Sequence, residues 1–294
     1  MEMSWMKHPP RKILLATDLS ARCDRATDRA VALAALWKAR LVAVHAMPDA
    51  PDDDTIPAWR RPQDPQKLAE SRVRAEMREQ LPDVTVVIGR GNPSDVIARV
   101  AEEQGCDLIV TGVARDEPLG RLMLGNTVDR LVRRSPVPVL IVRKRGTKPY
   151  LHVVAATDYS EPSRHALAAA VMFFPRARLT VFHAYERPPM RALTDTKSFV
   201  QPFRELAVTK GNEFLQHAEL SGLSDSLPEL IVVDGDPSHL LHDLTWETDV
   251  DVVALGSQGR SALSQALLGS VAQRSMRLLP CDVLIVREPR EGAG

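Results

Sequence analysis

The sequence predicts an α/β protein made of two copies of one domain, each a parallel sheet with helices on both faces. Three observations predict it. The chain repeats itself, apolar strand-like runs alternate with helix-spaced segments inside each repeat, and capping residues followed by proline mark helix starts.

The repeat consists of six matched segments in one order. KILLATDLS at 12–20 returns as HVVAATDYS at 152–160, and RLVAVHAM at 40–47 returns as RLTVFHAY at 178–185. VVIGRGNPSDVI at 86–97 is answered by IVVDGDPSHLL at 231–241, and DLIVTG at 107–112 by DVVALG at 251–256. LMLGNT at 122–127 pairs with ALLGSV at 266–271, and PVPVLIVR at 136–143 with PCDVLIVR at 280–287. The spacing between partners drifts by only a few residues, which indicates a duplicated domain. The expected domains are 1–145 and 146–294, joined by RKRGTKP at 143–149 as a solvated connection. A chain of 294 residues also suits two domains of roughly 100–200 residues each.

The elements follow in order. Short Val/Ile/Leu runs bounded by Gly, Asp or Pro read as strands buried on both faces. After the first of them, Ala26, Ala30, Leu33, Ala34 and Trp37 recur at helical spacing. Ser20 and Ser160 are the expected N-caps of the first helix in each half. Asn92-Pro93 and Asp236-Pro237 set a capping side chain before a proline at the first helical position. Five strands alternating with four helices per half give a parallel sheet with right-handed crossovers. Pro-rich polar stretches at 48–65 and 186–197 follow the second strand. Loops there fall at the carboxyl edge of the sheet, where open α/β folds bind ligands.

Composition excludes several function classes. Lys plus Arg equals Asp plus Glu at 38 each, so no global field draws the chain to nucleic acid or a membrane surface. Apolar residues at 44% and charged residues at 26% favour a folded chain over a disordered one. Cys23, Cys106 and Cys281 are widely spaced and odd in number, as expected of free thiols in a reducing compartment. The opening MEMSWMKHPPRK lacks the apolar stretch of a signal peptide, and no run of about 18 apolar residues occurs. A cytoplasmic protein is expected.

The chemistry concentrates after the fourth strand of the second half. Gly256-Ser-Gln-Gly259, nine residues, then Gly269-Ser270 place a glycine-rich loop directly after a strand, and the last Gly-Ser opens a helix. Glycines let backbone approach a ligand closely. Their N–H groups, the positive end of the helix and the Ser270 hydroxyl would form an anion seat suited to phosphates. Arg260 stands beside it, with a solvated side chain as the plainer reading.

Other candidates have plain readings. Asp18 and Asp158 end strands and can serve the following turn as well as a ligand. His45 and His183 occupy matching strand ends, where a hydrogen-bonded structural histidine is the expectation. His239 and His242 lie three apart with Asp243 adjacent, a spacing that permits a metal but lacks a third ligand nearby in sequence. Gly89-Arg90-Gly91 imitates a dinucleotide fingerprint, yet it follows the third strand and leads into Pro93, so it reads as a turn. No P-loop, nucleophile elbow or zinc-protease motif is present.

The G-x2-G-x9-G-S spacing, the ATD after the first strand and the HA after the second together make the chain resemble the universal stress protein family, twice over nearly its whole length. The resemblance implies a Rossmann-like, adenine nucleotide alpha hydrolase-like fold with strand order 3-2-1-4-5 in each domain. It implies an intramolecular pseudo-dimer paired through the fifth strands at 137–142 and 281–286, with further homodimerisation open. It implies ATP, with adenine and ribose against Ala156, Thr157, Asp158, Ala184, Leu255 and Gly256, and phosphates on Gly259, Gly269, Ser270 and Val271. Asp158 would share a Mg²⁺ ion with the triphosphate.

The first domain departs from the pattern. Gly112 and Gly125 keep the first and third glycines, but Arg115 stands at the second and Asn126 replaces the serine. A weaker second site of Thr17, Asp18, Ala46, Gly112, Gly125 and Asn126 is the expectation, with one nucleotide per chain held mainly by the second domain. The leading function is an ATP-binding regulatory module of the stress response, with an unidentified protein partner and no dedicated catalytic residues. One alternative is a slow ATPase or nucleotidyl transferase using the second site. Another is a protein-interaction scaffold with a structural nucleotide.

Overall fold

The computed structural model describes residues 8–21, 23–49, 64–77, 83–113, 126–186, 196–217, 228–259 and 268–287. Arg115, Gly125 and Arg260 lie outside these residues, as do 50–63 and 187–195 of the two Pro-rich stretches. The chain forms two compact units, Pro10–Pro149 and a second from Tyr150 onward.

In the first unit the order is β1 (Lys12–Ala16), α1 (Asp24–Trp37), β2 (Arg40–Met47), α2 (Pro65–Met77), β3 (Thr85–Arg90), α3 (Pro93–Glu103), β4 (Leu108–Gly112), α4 (Asn126–Arg134) and β5 (Val139–Val142). All pairings are parallel and run β3-β2-β1-β4-β5. The second unit repeats this with β6 (His152–Ala156), α5 (Glu161–Phe173), β7 (Arg178–Tyr185), α6 (Thr196–His217), β8 (Glu229–Asp234), α7 (Pro237–Glu247), β9 (Val252–Gly256), α8 (Ser270–Leu278) and β10 (Asp282–Val286). Its parallel order is β8-β7-β6-β9-β10. No helix among the described residues is long and apolar enough to cross a membrane.

The strands that lead to the site are buried on both faces, which is why they lack polar alternation. Ile13, Leu14 and Leu15 are fully buried in β1, as are Val252, Val253 and Ala254 in β9. On α1, Ala26, Ala30, Leu33 and Ala34 are buried as their spacing predicts, and Trp37 is half-buried. The helix ends at Lys38, which takes a left-handed φ of 55° and returns its N–H to the carbonyls of Ala34 and Ala35.

A repeated aspartate explains part of the duplication. The Asp107 carboxylate accepts the N–H groups of Arg11 and Lys12 at 2.8 and 3.0 Å. Asp251 does the same for Leu151 and His152 at 2.6 and 3.0 Å. Each pins the entry of a central strand to its neighbour. Helix caps also repeat. Asn92 accepts from the Ser94 N–H, and Asp236 accepts from Ser238 and His239, with proline at the start of both helices.

Two expectations need correction. Ser160 caps α5 through the Ser163 N–H, but the matching Ser20 does not cap α1. That helix starts later, after Cys23, with no side-chain cap, because the Ser20 hydroxyl donates to Asp18 instead at 2.6 Å. The 143–149 connection is not solvated throughout. Arg143 is buried, and the carbonyls of Arg143 and Lys148 accept from Arg25 and Arg29 of α1 at 2.8 and 2.7 Å.

His152 gives the second unit a pH dependence. The buried ring shares a hydrogen bond of 3.0 Å with the buried Thr180 hydroxyl. Burial, then the Arg178 charge, lowers its pKa from the ordinary 6.5. Below that pH the unfolded chain takes up a proton that the native imidazole refuses, so stability falls as acidity rises through and beneath 6.5. Replacing His152 with Gln should flatten this part of the profile. Denaturant midpoints measured from pH 7.5 down to about 5.5 should fall more steeply for the native chain than for H152Q.

Candidate functional site

Each domain's site begins where its first strand ends. In the second, the Thr157 hydroxyl accepts the Tyr159 N–H at 2.9 Å, and Asp158 Oδ1 accepts the Ser160 N–H at 3.1 Å. Between them Tyr159 takes φ 64°, a left-handed conformation that costs a side-chain-bearing residue about 1–2 kcal/mol. The Thr157 hydroxyl also meets Ser163 Oγ at 2.7 Å, and His183 Nδ1 donates to the Thr157 carbonyl at 2.8 Å. A carbonyl only accepts, so Nδ1 holds the proton. His183 is thus a structural clamp on the turn.

The first domain makes the same turn. Leu19 has φ 60°, its N–H goes to the Thr17 hydroxyl at 3.1 Å, and Asp18 Oδ1 takes the Ser20 N–H at 2.9 Å. His45 Nδ1 donates to the Thr17 carbonyl at 2.9 Å. One substitution changes the chemistry. Cys23 stands where Ser163 stands in the repeat, and its thiol donates to Asp18 Oδ1 at 3.1 Å. Burial works to raise the Asp18 pKa, but hydrogen bonds from Ser20 and Cys23 outweigh it and hold the carboxyl below its usual range. Burial, with the neighbouring Asp18 charge, pushes Cys23 up to about 12. Its thiol stays protonated and is no nucleophile at neutral pH.

The three motif glycines of the second domain, Gly256, Gly259 and Gly269, differ in their surroundings. None of these three is among the glycines with positive φ, and at Gly256 and Gly259 the demand is for space. A Cβ on Gly256 would lie 2.8 Å from the Pro162 carbonyl carbon and 3.0 Å from the Ser163 nitrogen. This glycine lets the end of β9 rest against the backbone at the start of α5. A Cβ on Gly259 would lie 2.8 Å from Asp158 Oδ2, so this glycine admits the carboxylate. Gly269 precedes α8 as an N-cap without a capping side chain. Its own N–H donates to the Ser257 carbonyl at 2.8 Å, while the N–H groups of Ser270, Val271 and Ala272 belong to the first turn and have no intrahelical acceptor.

These parts enclose a cavity of about 330 Å³ at the carboxyl edge of the second sheet. Its wall includes Ala156, Thr157, Asp158, Ala184, Leu255 and Gly256 on one side, and Gly259, Gly269, Ser270 and Val271 on the other. The sequence reading missed Ser163, Phe182, Pro237, Leu241, Gln258 and Ala272, which also line it. Phe182 precedes the singled-out His183, and Leu241 is one helical turn beyond the Asp236-Pro237 start, so strand and helix periodicity held that signal.

The matching cavity of the first domain is about 180 Å³ and is lined by Thr17, Asp18, Ala46 and Gly112, with Cys23 also in its wall. Asn126 is exposed at the first position of α4, while Thr127 and Val128 form the described wall there. On α7, His242 accepts from the Trp246 indole at 2.9 Å and lies beside Asp243. Cys106 and Cys281 are buried free thiols.

The model of the universal stress protein family matches residues 10–143 and again 149–287. The chain belongs to the universal stress protein family. Among curated relatives, this universal stress protein is 25% identical to one from Mycobacterium tuberculosis, across 95% of this chain and 99% of the relative. It is 24% identical to universal stress protein E of Escherichia coli, across 68% and 67%. Among solved structures, a functionally unknown protein from Pseudomonas aeruginosa shares the fold at a TM-score of 0.68 and 19% identity, covering 97% of this chain and 95% of that one. A universal stress protein from Archaeoglobus fulgidus does so at 0.58 and 15%, covering 94% and 98%.

The contact at Gly256 generates a stability prediction. Gly256→Ala should destabilise the second domain by about 1–3 kcal/mol, the usual cost of overpacking against atoms that cannot yield. The equivalent Gly259→Ala presses only on a side-chain oxygen and should destabilise less. Chemical denaturation of both variants measures the difference.

Proposed function

We propose that this universal stress protein binds ATP, as its magnesium complex, in the cavity of the second domain. It works there as a nucleotide-responsive regulatory module rather than as an enzyme. Membership of the family carries the stress-response role. The nucleotide reading rests above all on one observation: the uncapped first turn of α8 forms a wall of the cavity, whereas α3, α5 and α7 each start with a side chain bonded to their first N–H groups.

The residues fit the group. Unsatisfied N–H donors and the positive end of a helix suit phosphate oxygens. The space that Gly259 leaves beside Asp158 would be filled by any side chain. Across the cavity, Ala184 with the edges of Phe182 and Leu255 forms an apolar wall for a purine, backed by the fully buried Leu241. A volume of about 330 Å³ falls within the roughly 300–1,000 Å³ range of small-molecule sites. The first domain's 180 Å³ falls below it, which supports one nucleotide per chain. Magnesium bound with the nucleotide would offset phosphate charge beside Asp158, the residue suited to hold it.

Binding rather than turnover is supported by the wall's composition. Asp158 is the single ionisable side chain among the described lining residues. Phosphoryl transfer calls for a group that orients the attacking water and for positive charge on the transferred phosphate. Regulation then requires the nucleotide to favour one conformation or complex over another through differential affinity.

Titration calorimetry with Mg-ATP tests this reading. The native chain should bind close to one equivalent, and Gly259→Arg should weaken binding by more than about tenfold, or 1.4 kcal/mol, because the new side chain displaces Asp158. No binding heat in the native chain overturns the proposal. Two equivalents of similar affinity overturn its restriction to the second domain.

A further inference from the structure

We infer that Tyr159 is a positioning residue that ties the nucleotide cavity to helix α6, so that ATP bound in the second domain orders that helix. The inference rests on the nucleotide reading above and adds the route by which occupancy leaves the site.

Tyr159 sits between two residues with clear duties. Asp158 before it lines the cavity, and Ser160 after it caps α5. Its left-handed backbone is fixed by the Thr157 and Asp158 side chains, and this sends its ring away from the strand onto other elements. The ring stacks on His183 with centroids 4.0 Å apart and planes 28° from parallel. It lies 5.5 Å from the Phe214 ring of α6. Its hydroxyl donates to the Ala207 carbonyl, also on α6, at 2.8 Å.

Helix α6 is built to receive it. A Cβ on Gly211 would lie 2.7 Å from the Tyr159 hydroxyl and 2.8 Å from Leu230 Cδ2 of β8, so a glycine inside a helix, unfavourable there by itself, makes space for the phenol and for the strand packed beside it. A second tie runs from the helix that follows the turn. Arg164, the fourth residue of α5, places its guanidinium 5.0 Å from the centre of the Phe214 ring. Tyr159 therefore bonds α6 at Ala207, fits against Gly211 and meets the ring of Phe214, and Arg164 of α5 adds a second contact to that ring.

The first domain has the same backbone turn without the tie. Leu19 takes the matching left-handed conformation, and an aliphatic side chain there has no group to donate to a helix. The smaller cavity and the missing tether occur together in one domain, the larger cavity and the tether in the other. Fixing Asp158 with a ligand restrains Tyr159, and restraint of Tyr159 removes freedom from α6. Coupling of this kind needs no displacement, only a loss of local opening that amide exchange can read. By linkage, a nucleotide that favours the tethered helix binds more weakly to a chain in which the tether is broken.

The experiment is hydrogen exchange and calorimetry on the full chain with Mg-ATP, for the native sequence, Tyr159→Phe and Gly211→Ala. In the native chain, saturating Mg-ATP should slow exchange across residues 203–216 and leave α2 unchanged. In Y159F the slowing at α6 should be lost, and ATP should bind on the order of fivefold more weakly, the equivalent of one hydrogen bond. G211A raises intrinsic helix propensity but crowds both the hydroxyl and Leu230, so it too should weaken ATP several-fold although the residue touches no part of the cavity. Adding Leu230→Ala, which relieves the second contact alone, should not restore affinity to G211A. If Y159F and G211A change the melting temperature but leave ATP affinity and α6 protection as in the native chain, Tyr159 is merely structural and the inference is overturned. If Mg-ATP binds the native chain without protecting α6, the coupling falls and the nucleotide reading stands. If Mg-ATP does not bind at all, both fall.

Discussion

The site in each domain depends on one clamp. The chain leaves its central strand through a left-handed residue whose own N–H is taken by a threonine hydroxyl and whose successor's N–H is taken by an aspartate. Neither Leu19 nor Tyr159 favours positive φ, so the two side-chain hydrogen bonds and the histidine beneath the threonine carbonyl must outweigh the strain. The clamp turns the chain toward the first helix, holds a carboxylate over the sheet edge and fixes where the intervening side chain points. Removing it would alter the cavity wall, the helix start and the contacts of residue 159 together.

Duplication preserved this clamp and varied what surrounds it. Asp107 and Asp251 secure the same strand entries, and Asn92 and Asp236 cap the same helices. The differences gather at the carboxyl edge. Ser163 bonds the threonine of its turn, whereas Cys23 bonds the aspartate of its own. Asp158 stands beside a glycine that leaves it room, and Asp18 is drawn into bonds with Ser20 and Cys23.

Much of the fold was legible because its signals are local. Buried parallel strands write themselves as unbroken Val/Ile/Leu runs, and an Asp or Asn before proline announces a helix start from a few adjacent residues. The repeat multiplied these signals by giving each a second witness. Where the reading failed, the reason was competition between neighbours. Ser20 had the composition of a cap, but Asp18 two residues earlier accepts its hydroxyl. The basic connection looked solvated, yet the carbonyls of Arg143 and Lys148 are acceptors for arginines of α1, distant in sequence.

The duplication, the alternating α/β architecture, the strand-end residues and the glycine segment could all be read along the chain, since periodicity and short-range chemistry carry them. Only the tertiary structure decided what each glycine is for. Gly256 yields to the backbone at the start of α5 and Gly259 to a carboxylate, whereas Gly269 precedes an uncapped helix start where a Cβ would meet nothing nearer than 3.5 Å, differences that one-letter spacing cannot show. It also decided that Phe182 and Leu241 meet at one cavity and that Tyr159 reaches Gly211, because such meetings depend on where separate elements come to lie across the sheet and not on any interval along the chain.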